Sequence, residues 1–178
     1  MRLEYIKNKI RTIDDFPKKG IQFKDITTLL ADANGLRYTT DLFAERYQNS
    51  GLTKIVALEA RGFIFGSSLA DRLQVGFVPI RKKGKLPYKT VSISYALEYG
   101  TDTMEMHEDA LNKNDKVIII DDLLATGGTA EAGIHLIERL GAQVVGCAFG
   151  VDLPDLGGRR KPEALGMEVH ALCAFEGL

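Results

Sequence analysis

Two carboxylates stand side by side at Asp121 and Asp122, and a small-residue turn, Ala125-Thr126-Gly127-Gly128-Thr129, follows closely. Paired acids of this kind accept hydrogen bonds from sugar hydroxyls or reach a metal ion. A glycine-rich turn that opens a helix presents bare backbone N–H groups to a phosphate, and the two threonines add hydroxyls. Upstream lies Val117-Ile118-Ile119-Ile120, a β-branched run that reads as a strand buried on both faces. An ordinary strand–turn–helix corner accounts for the glycines. It does not account for the acids, because adjacent carboxylates repel each other unless something satisfies them. The chain contains neither Gly-x-x-x-x-Gly-Lys-Ser/Thr nor Gly-x-Gly-x-x-Gly, so the common NTPase and dinucleotide loops are absent.

A second cluster, Glu59-Ala60-Arg61-Gly62, also falls between a predicted strand and a predicted helix. Ligands of open α/β sheets bind at such strand ends, so this loop is expected on the same edge as Asp121. The planar fork of Arg61 suits a phosphate, and pairing with a neighbouring acid is its plainer alternative. The densest positive stretch is Arg81, Lys82, Lys83, Lys85 and Lys89. Such a run is usually a solvated loop, but it is also the obvious supply of cations for a polyanionic ligand. A nucleic-acid patch is disfavoured. The net charge is −1, and only Tyr88 is interleaved as a stacking surface. Phe23, between Gln22 and Lys24, reads by itself as core. Glu98, between Leu97 and Tyr99, reads from pattern as the wet face of a strand, and Glu105 lies nearby on the same segment.

The elements that must position these groups alternate. A short amphipathic helix is predicted over residues 2–11, then a turn at 14–20. A second helix opens at Asn34-Gly35 and closes by Gly51. A strand over 54–58, a helix over 62–73 and a strand over 76–80 follow. Residues 82–106 are polar, glycine-punctuated and strand-prone, which predicts a mobile hairpin or flap. The central strand spans 116–120, the helix after the turn 129–140, and late strands 144–149 and 167–173. This order predicts an α/β fold, an open and mostly parallel twisted sheet with helices on both faces.

At 178 residues and 45% hydrophobic content, one domain spanning 1–178 is expected. Cys147 and Cys173 lack metal spacing and read as buried thiols, and the three histidines read as structural or surface residues. Residues 1–11 carry no signal-peptide core. No apolar run reaches the roughly 18 residues of a membrane span. A cytoplasmic setting with no membrane and no nucleic-acid partner is therefore expected.

The acid pair and its turn resemble the signature by which type I phosphoribosyltransferases bind phosphoribosyl pyrophosphate. Asp15-Phe16-Pro17, Gly20-Ile21-Gln22-Phe23-Lys24-Asp25-Ile26, Glu59 to Gly66, Ile80 to Pro87 and Leu97-Glu98-Tyr99-Gly100 resemble the adenine phosphoribosyltransferases within that family, in order and at matching spacing. The resemblance implies the type I fold, with a small N-terminal hood and base-recognition segment at 1–35 and a flap at 82–106. It implies that adenine and phosphoribosyl pyrophosphate combine to give AMP and pyrophosphate, a purine-salvage reaction. Mg²⁺ is implied as cofactor, held mainly by substrate and water with no direct protein ligand, and a homodimer as the assembly.

By that resemblance Asp121 and Asp122 face the ribose hydroxyls, and Ala125, Thr126, Gly127, Gly128 and Thr129 wrap the 5′-phosphate. Ala60, Arg61, Arg81, Lys82 and Lys85 hold the pyrophosphate, with Arg81 and Lys85 favoured over Lys83. Gln22, Phe23 and Lys24 meet adenine, Phe23 with its ring and its two neighbours with backbone groups. Lys24 stands where many members carry Arg. Glu98 handles the purine proton and Tyr99 closes over the site, with Glu105 the competing acid. Two rivals stay open at this stage. One is a phosphoribosyltransferase for another base. The other is a regulatory module that binds the same sugar phosphate without catalysis, which normally needs an additional DNA-binding domain.

Overall fold

The structure, a computed structural model, describes residues 1–97 and 99–177. Glu98, the expected proton-handling acid, lies outside the described residues. The chain opens with helix α1 (Arg2–Lys9), which buries Ile6. Strands β1 (Arg11–Asp14) and β2 (Gln22–Asp25) then form a separate antiparallel pair, with Ile13 opposite Phe23. Helix α1 thus stops short of the predicted residue 11, because the chain turns there into β1. This two-stranded sheet was not expected. Its four-residue strands are too short and too polar to show the alternation that marks a strand.

A short helix α2 (Thr27–Leu30) leads into α3 (Ala33–Tyr47). The Asp32 side chain caps α3 by accepting a hydrogen bond from the Gly35 N–H at 2.7 Å, so the helix begins just before the predicted Asn34-Gly35 opening. Next come β3 (Lys54–Leu58), α4 (Gly62–Leu73), β4 (Gly76–Lys82), β5 (Thr90–Ala96), β6 (Thr101–His107) and β7 (Lys116–Leu124). Helix α5 (Gly128–Arg139), β8 (Gln143–Asp152), a 3₁₀ turn (Pro154–Leu156), α6 (Arg160–Ala164) and β9 (Glu168–Ala174) complete the fold. One seven-stranded sheet runs in the order β5-β6-β4-β3-β7-β8-β9. The five strands from β4 to β9 are parallel, and the β5–β6 hairpin adds an antiparallel edge.

The continuous apolar run of β7 is explained by its place in the centre of this sheet. Val117 and Ile119 enter the core beneath α5, while Ile118 and Ile120 enter the core beneath α1, α3 and α4. Strand β3 divides in the same way, Val56 and Leu58 against Ile55 and Ala57. With both faces covered there is no wet side to alternate with. Cys147 is buried and Cys173 half-buried, and both are free. Burial pushes their thiols up to about 12 and about 11. No helix among the described residues is long and apolar enough to cross a membrane.

Three placements correct the sequence reading. Strand β7 continues through Asp121 and Asp122 to Leu124, so the acids lie inside the strand's last turn of pleat rather than beyond its end. The predicted flap is the β5–β6 hairpin, and its base is part of the sheet: β6 pairs with β4 at Arg81–Glu105 and Lys82–Met104. Helix α6 and the 3₁₀ turn fall where no periodic pattern exists, since each is about one turn long.

The N-terminal pair is stitched to the body by Asp25. Its carboxylate accepts from Arg11 Nη2 at 2.5 Å, from Thr27 N–H at 2.8 Å and from Thr27 Oγ1 at 2.9 Å. The Arg11 bond first, then those from Thr27, pull this carboxyl down to about 2. Asp25→Ala is expected to cost roughly 1–2 kcal/mol, read as a lower Tm at neutral pH. The folded pKa lies below the unfolded one, so the wild-type advantage is present above about pH 4 and disappears as pH falls towards about 2.

Candidate functional site

Gly62 joins the two loops that the sequence placed on one sheet edge. A Cβ on Gly62 would lie 2.8 Å from Asp121 Oδ1 and 3.0 Å from the Ile120 carbonyl oxygen. Only a glycine lets the N-terminus of α4 approach β7 this closely. The approach brings Arg61 onto the acid pair, with Arg61 Nε 2.8 Å from Asp122 Oδ2. The two form a close ion pair that lacks the linear geometry of a hydrogen bond. Asp122 is almost wholly buried and Arg61 is largely exposed, so the guanidinium covers the acid from the solvent side.

Asp121 accepts the backbone N–H of Asp122 at 2.8 Å. It keeps a small opening to solvent but is otherwise enclosed by protein. Burial first, and the Asp122 charge second, push its carboxyl well above the usual carboxylate range. The pair is therefore unequal: Asp122 has a cationic partner, and Asp121 carries the repulsion.

The guanidinium of Arg61 also lies 5.3 Å over the Phe23 ring, and Phe16 meets that ring edge-on at 5.1 Å. Phe23, Arg61 and Asp122 thus form one continuous contact chain from β2 to β7. Lys24 points elsewhere. Its side chain is buried, donates to Thr12 Oγ1 at 3.0 Å and lies 4.6 Å over the Phe175 ring. Alternation along β2 puts Phe23 and Lys24 on opposite faces. The side chain of Lys24 is therefore turned away from the Phe23 face, and only its backbone is available there. Gln22, at the start of β2, is exposed.

The small-residue turn closes against a segment not singled out in the sequence. Gly127 has φ +82°, and a Cβ there would lie 2.2 Å from the Gly158 carbonyl oxygen. A Cβ on Gly158 would lie 2.4 Å from the Ala125 carbonyl oxygen. Arg159 anchors that segment, with Nε 2.6 Å from the buried Asp152 Oδ2 and Nη1 donating to the Val169 carbonyl at 2.8 Å. The adjacent Gly157-Gly158 pair before three basic residues was the signal available in the sequence. Between the turn and the hairpin lies a cavity of about 390 Å³, lined by Thr126, Gly128, Thr129, Tyr95, Ala96, Leu97 and Lys161.

The remaining cations divide. Arg81, on β4, lies 5.8 Å over the Phe63 ring, and its Nε is buried without a hydrogen-bond partner among the described residues. The Glu59 carboxylate stands 3.7 Å from it and accepts the Lys82 N–H. Arg81, Glu59, Asp121 and Thr129 share a small void of about 40 Å³. The Lys82 ammonium is paired with Asp102 at 2.5 Å. Lys83 and Lys85 are exposed on the connection to β5 and line neither this void nor the larger cavity. Ala60 is exposed beside Arg61, and the Glu59–Ala60 peptide is cis. Tyr99 is exposed at the hairpin tip, with Lys18 6.0 Å over its ring, so the tip faces the loop between β1 and β2. Glu105 is buried on β6 opposite Arg81 and Ser92.

The phosphoribosyl transferase domain family matches residues 25–165. Over 173 residues, 97% of each chain, the sequence is 62% identical to an adenine phosphoribosyltransferase of Cereibacter sphaeroides. The chain belongs to the adenine phosphoribosyltransferases. The fold is that of the crystal structure of adenine phosphoribosyltransferase from Thermoanaerobacter pseudethanolicus, with a TM-score of 0.93 at 50% identity over 97% of this chain and 99% of that one. The Saccharomyces cerevisiae enzyme, complexed with an imino-altritol bisphosphate and adenine, superposes with a TM-score of 0.90 at 36% identity, covering 96% and 98%.

The unequal acid pair has a measurable consequence. Folding makes Asp121 harder to ionise than it is in the unfolded chain, so this carboxyl lowers stability progressively as pH rises above about 4. Asp121→Asn removes the buried charge. Its Tm is expected to exceed wild type by a few degrees near neutral pH, and the gain is expected to vanish by about pH 4. Turnover is expected to fall in the same variant, a trade of activity for stability. Melting curves and activity assays across that pH range check both halves.

Proposed function

We propose that this chain transfers the 5-phosphoribosyl group from phosphoribosyl pyrophosphate to adenine, releasing pyrophosphate and giving AMP, with Mg²⁺ as cofactor. The observation that carries the reading is the contact chain Phe23–Arg61–Asp122, which begins at a ring suited to a base and ends at acids suited to a ribose. The phosphate turn lies on the same strand end. The 5′-phosphate takes the backbone N–H groups and hydroxyls of Ala125 to Thr129 at the N-terminus of α5. Asp121 and Asp122 accept the ribose hydroxyls. Arg81, whose buried Nε makes no hydrogen bond among the described residues, takes the pyrophosphate at the void it shares with Asp121, and Arg61 and Ala60 serve the same group. Lys82 joins them by leaving Asp102, and Lys85 is the exposed cation of the set.

The bond from the anomeric carbon to the pyrophosphate oxygen breaks with oxocarbenium character, and a purine nitrogen takes its place. Negative charge on the acids, Asp122 above all, favours that cationic centre. Mg²⁺ would be held mainly by the oxygens of pyrophosphate and water, beside an acid pair of which only Asp122 has a guanidinium partner. When bound it neutralises charge on the departing group. Phe23 packs on the base while the backbone of Gln22 and Lys24 reads its edge. Closure of the 82–106 hairpin, with Tyr99 at its tip, excludes water from the activated sugar. Residues 1–35 form the hood over the base within a single domain of residues 1–178. Exposed Leu3, Phe16 and Ile64 favour a homodimer, and two free thiols favour a cytoplasmic setting.

Pyrophosphate release is expected with adenine, and not with hypoxanthine, guanine, xanthine or orotate, when each is mixed with protein, phosphoribosyl pyrophosphate and Mg²⁺. Release with a different base alone would overturn the base pocket. Ligand binding without turnover for any base would favour the regulatory module. For the purine proton we retain Glu98. Glu98→Ala is expected to lower kcat by about 10²-fold. A loss under about threefold would move the role to Glu105, although that side chain is buried in the sheet.

A further inference from the structure

The segment Gly157-Gly158-Arg159-Arg160-Lys161 has no role in the reading above, yet it forms a wall of the phosphate turn. Its backbone meshes with Ala125 and Gly127 at distances that only glycines allow. Arg159, tied to Asp152 and to the Val169 carbonyl, holds it there. The segment then carries Lys161 to the mouth of the turn. A Cβ on Gly128 would lie 3.7 Å from Lys161 Nζ. Lys161 shares the cavity of about 390 Å³ with Thr126, Gly128 and Thr129, and it is the one full positive charge among the described residues lining that cavity. Its present partner is weak. Glu131 Oε2 stands 3.8 Å away, with both side chains well exposed to solvent.

Charge balance makes this lysine more than a surface partner of Glu131. A phosphate monoester near neutral pH carries close to two negative charges. The turn supplies only neutral donors, and the N-terminus of α5 adds the equivalent of about half a positive charge. The cations Arg61 and Arg81 lie at the acid pair and its small void, not in this cavity.

We infer that Lys161 is a 5′-phosphate-binding residue of the transferase. Its ammonium leaves Glu131 and closes the ring of donors around the phosphate of phosphoribosyl pyrophosphate and of AMP. The flexible stem of a lysine suits this exchange of partners. The inference rests on the phosphate-turn reading, and the test separates the two.

Wild type, Lys161→Gln and Lys161→Arg are compared by steady-state kinetics, and by calorimetric titration with ribose 5-phosphate and, separately, with pyrophosphate. Lys161→Gln is expected to raise KM for phosphoribosyl pyrophosphate roughly 5- to 20-fold and to weaken ribose 5-phosphate by the same factor. KM for adenine, kcat and pyrophosphate affinity are expected to stay within about twofold, and Lys161→Arg is expected to restore most of the loss. A Lys161→Gln protein that binds ribose 5-phosphate as tightly as wild type overturns the inference. So does an equal rise in KM for adenine without rescue by arginine, which would make Lys161 a packing residue. Wild-type protein that bound neither ribose 5-phosphate nor phosphoribosyl pyrophosphate would overturn the phosphate-turn reading itself.

Discussion

Two carboxylates held side by side at the end of a buried strand repel each other, and much of this site is arranged around that repulsion. Arg61 meets Asp122 at 2.8 Å, while burial first and the Asp122 charge second push the Asp121 carboxyl well above its usual range. An arrangement this costly persists only where the rest of the fold over-determines it. Here the determinants are plain. Strand β7 is fixed by apolar side chains buried on both faces, and Gly62 permits α4 to bring Arg61 against it.

From that ion pair the site extends in two directions. Towards the N-terminal segment, the same guanidinium lies over Phe23, so the Phe23 ring and Asp122 share one side chain. Towards α5, the turn after β7 needs a left-handed residue at Gly127 and a close neighbour without a side chain at Gly158. That turn is braced by a second segment meshing with it, and the segment is itself anchored by the ion pair of Arg159 with the buried Asp152.

The hairpin shows how one element serves two demands. Its base continues the central sheet through β6 and β4, and Val91, Ile93 and Tyr95 pack on the core. Its tip leaves Leu97 and Tyr99 largely exposed, facing the loop between β1 and β2. The hairpin is thus anchored in the sheet at its base and open to solvent at its tip.

The sequence by itself determined the strands and helices of the central sheet, because burial on both faces and helical periodicity leave long patterns. It also determined the acid pair, the glycine turn and Arg61 as neighbours, since ligand groups collect where strands of an open α/β sheet end. Spacing along the chain is enough for groups within one strand–turn–helix unit. Only the tertiary structure decided which way single side chains point. Lys24 turns away from the Phe23 face to Thr12, Lys82 pairs with Asp102, and Arg159 and Lys161 arrive from a distant segment to brace and line the glycine turn. These contacts join residues far apart in the chain through short, aperiodic elements. One-turn helices and four-residue strands bury too little surface to leave a pattern, so their placement follows from packing alone.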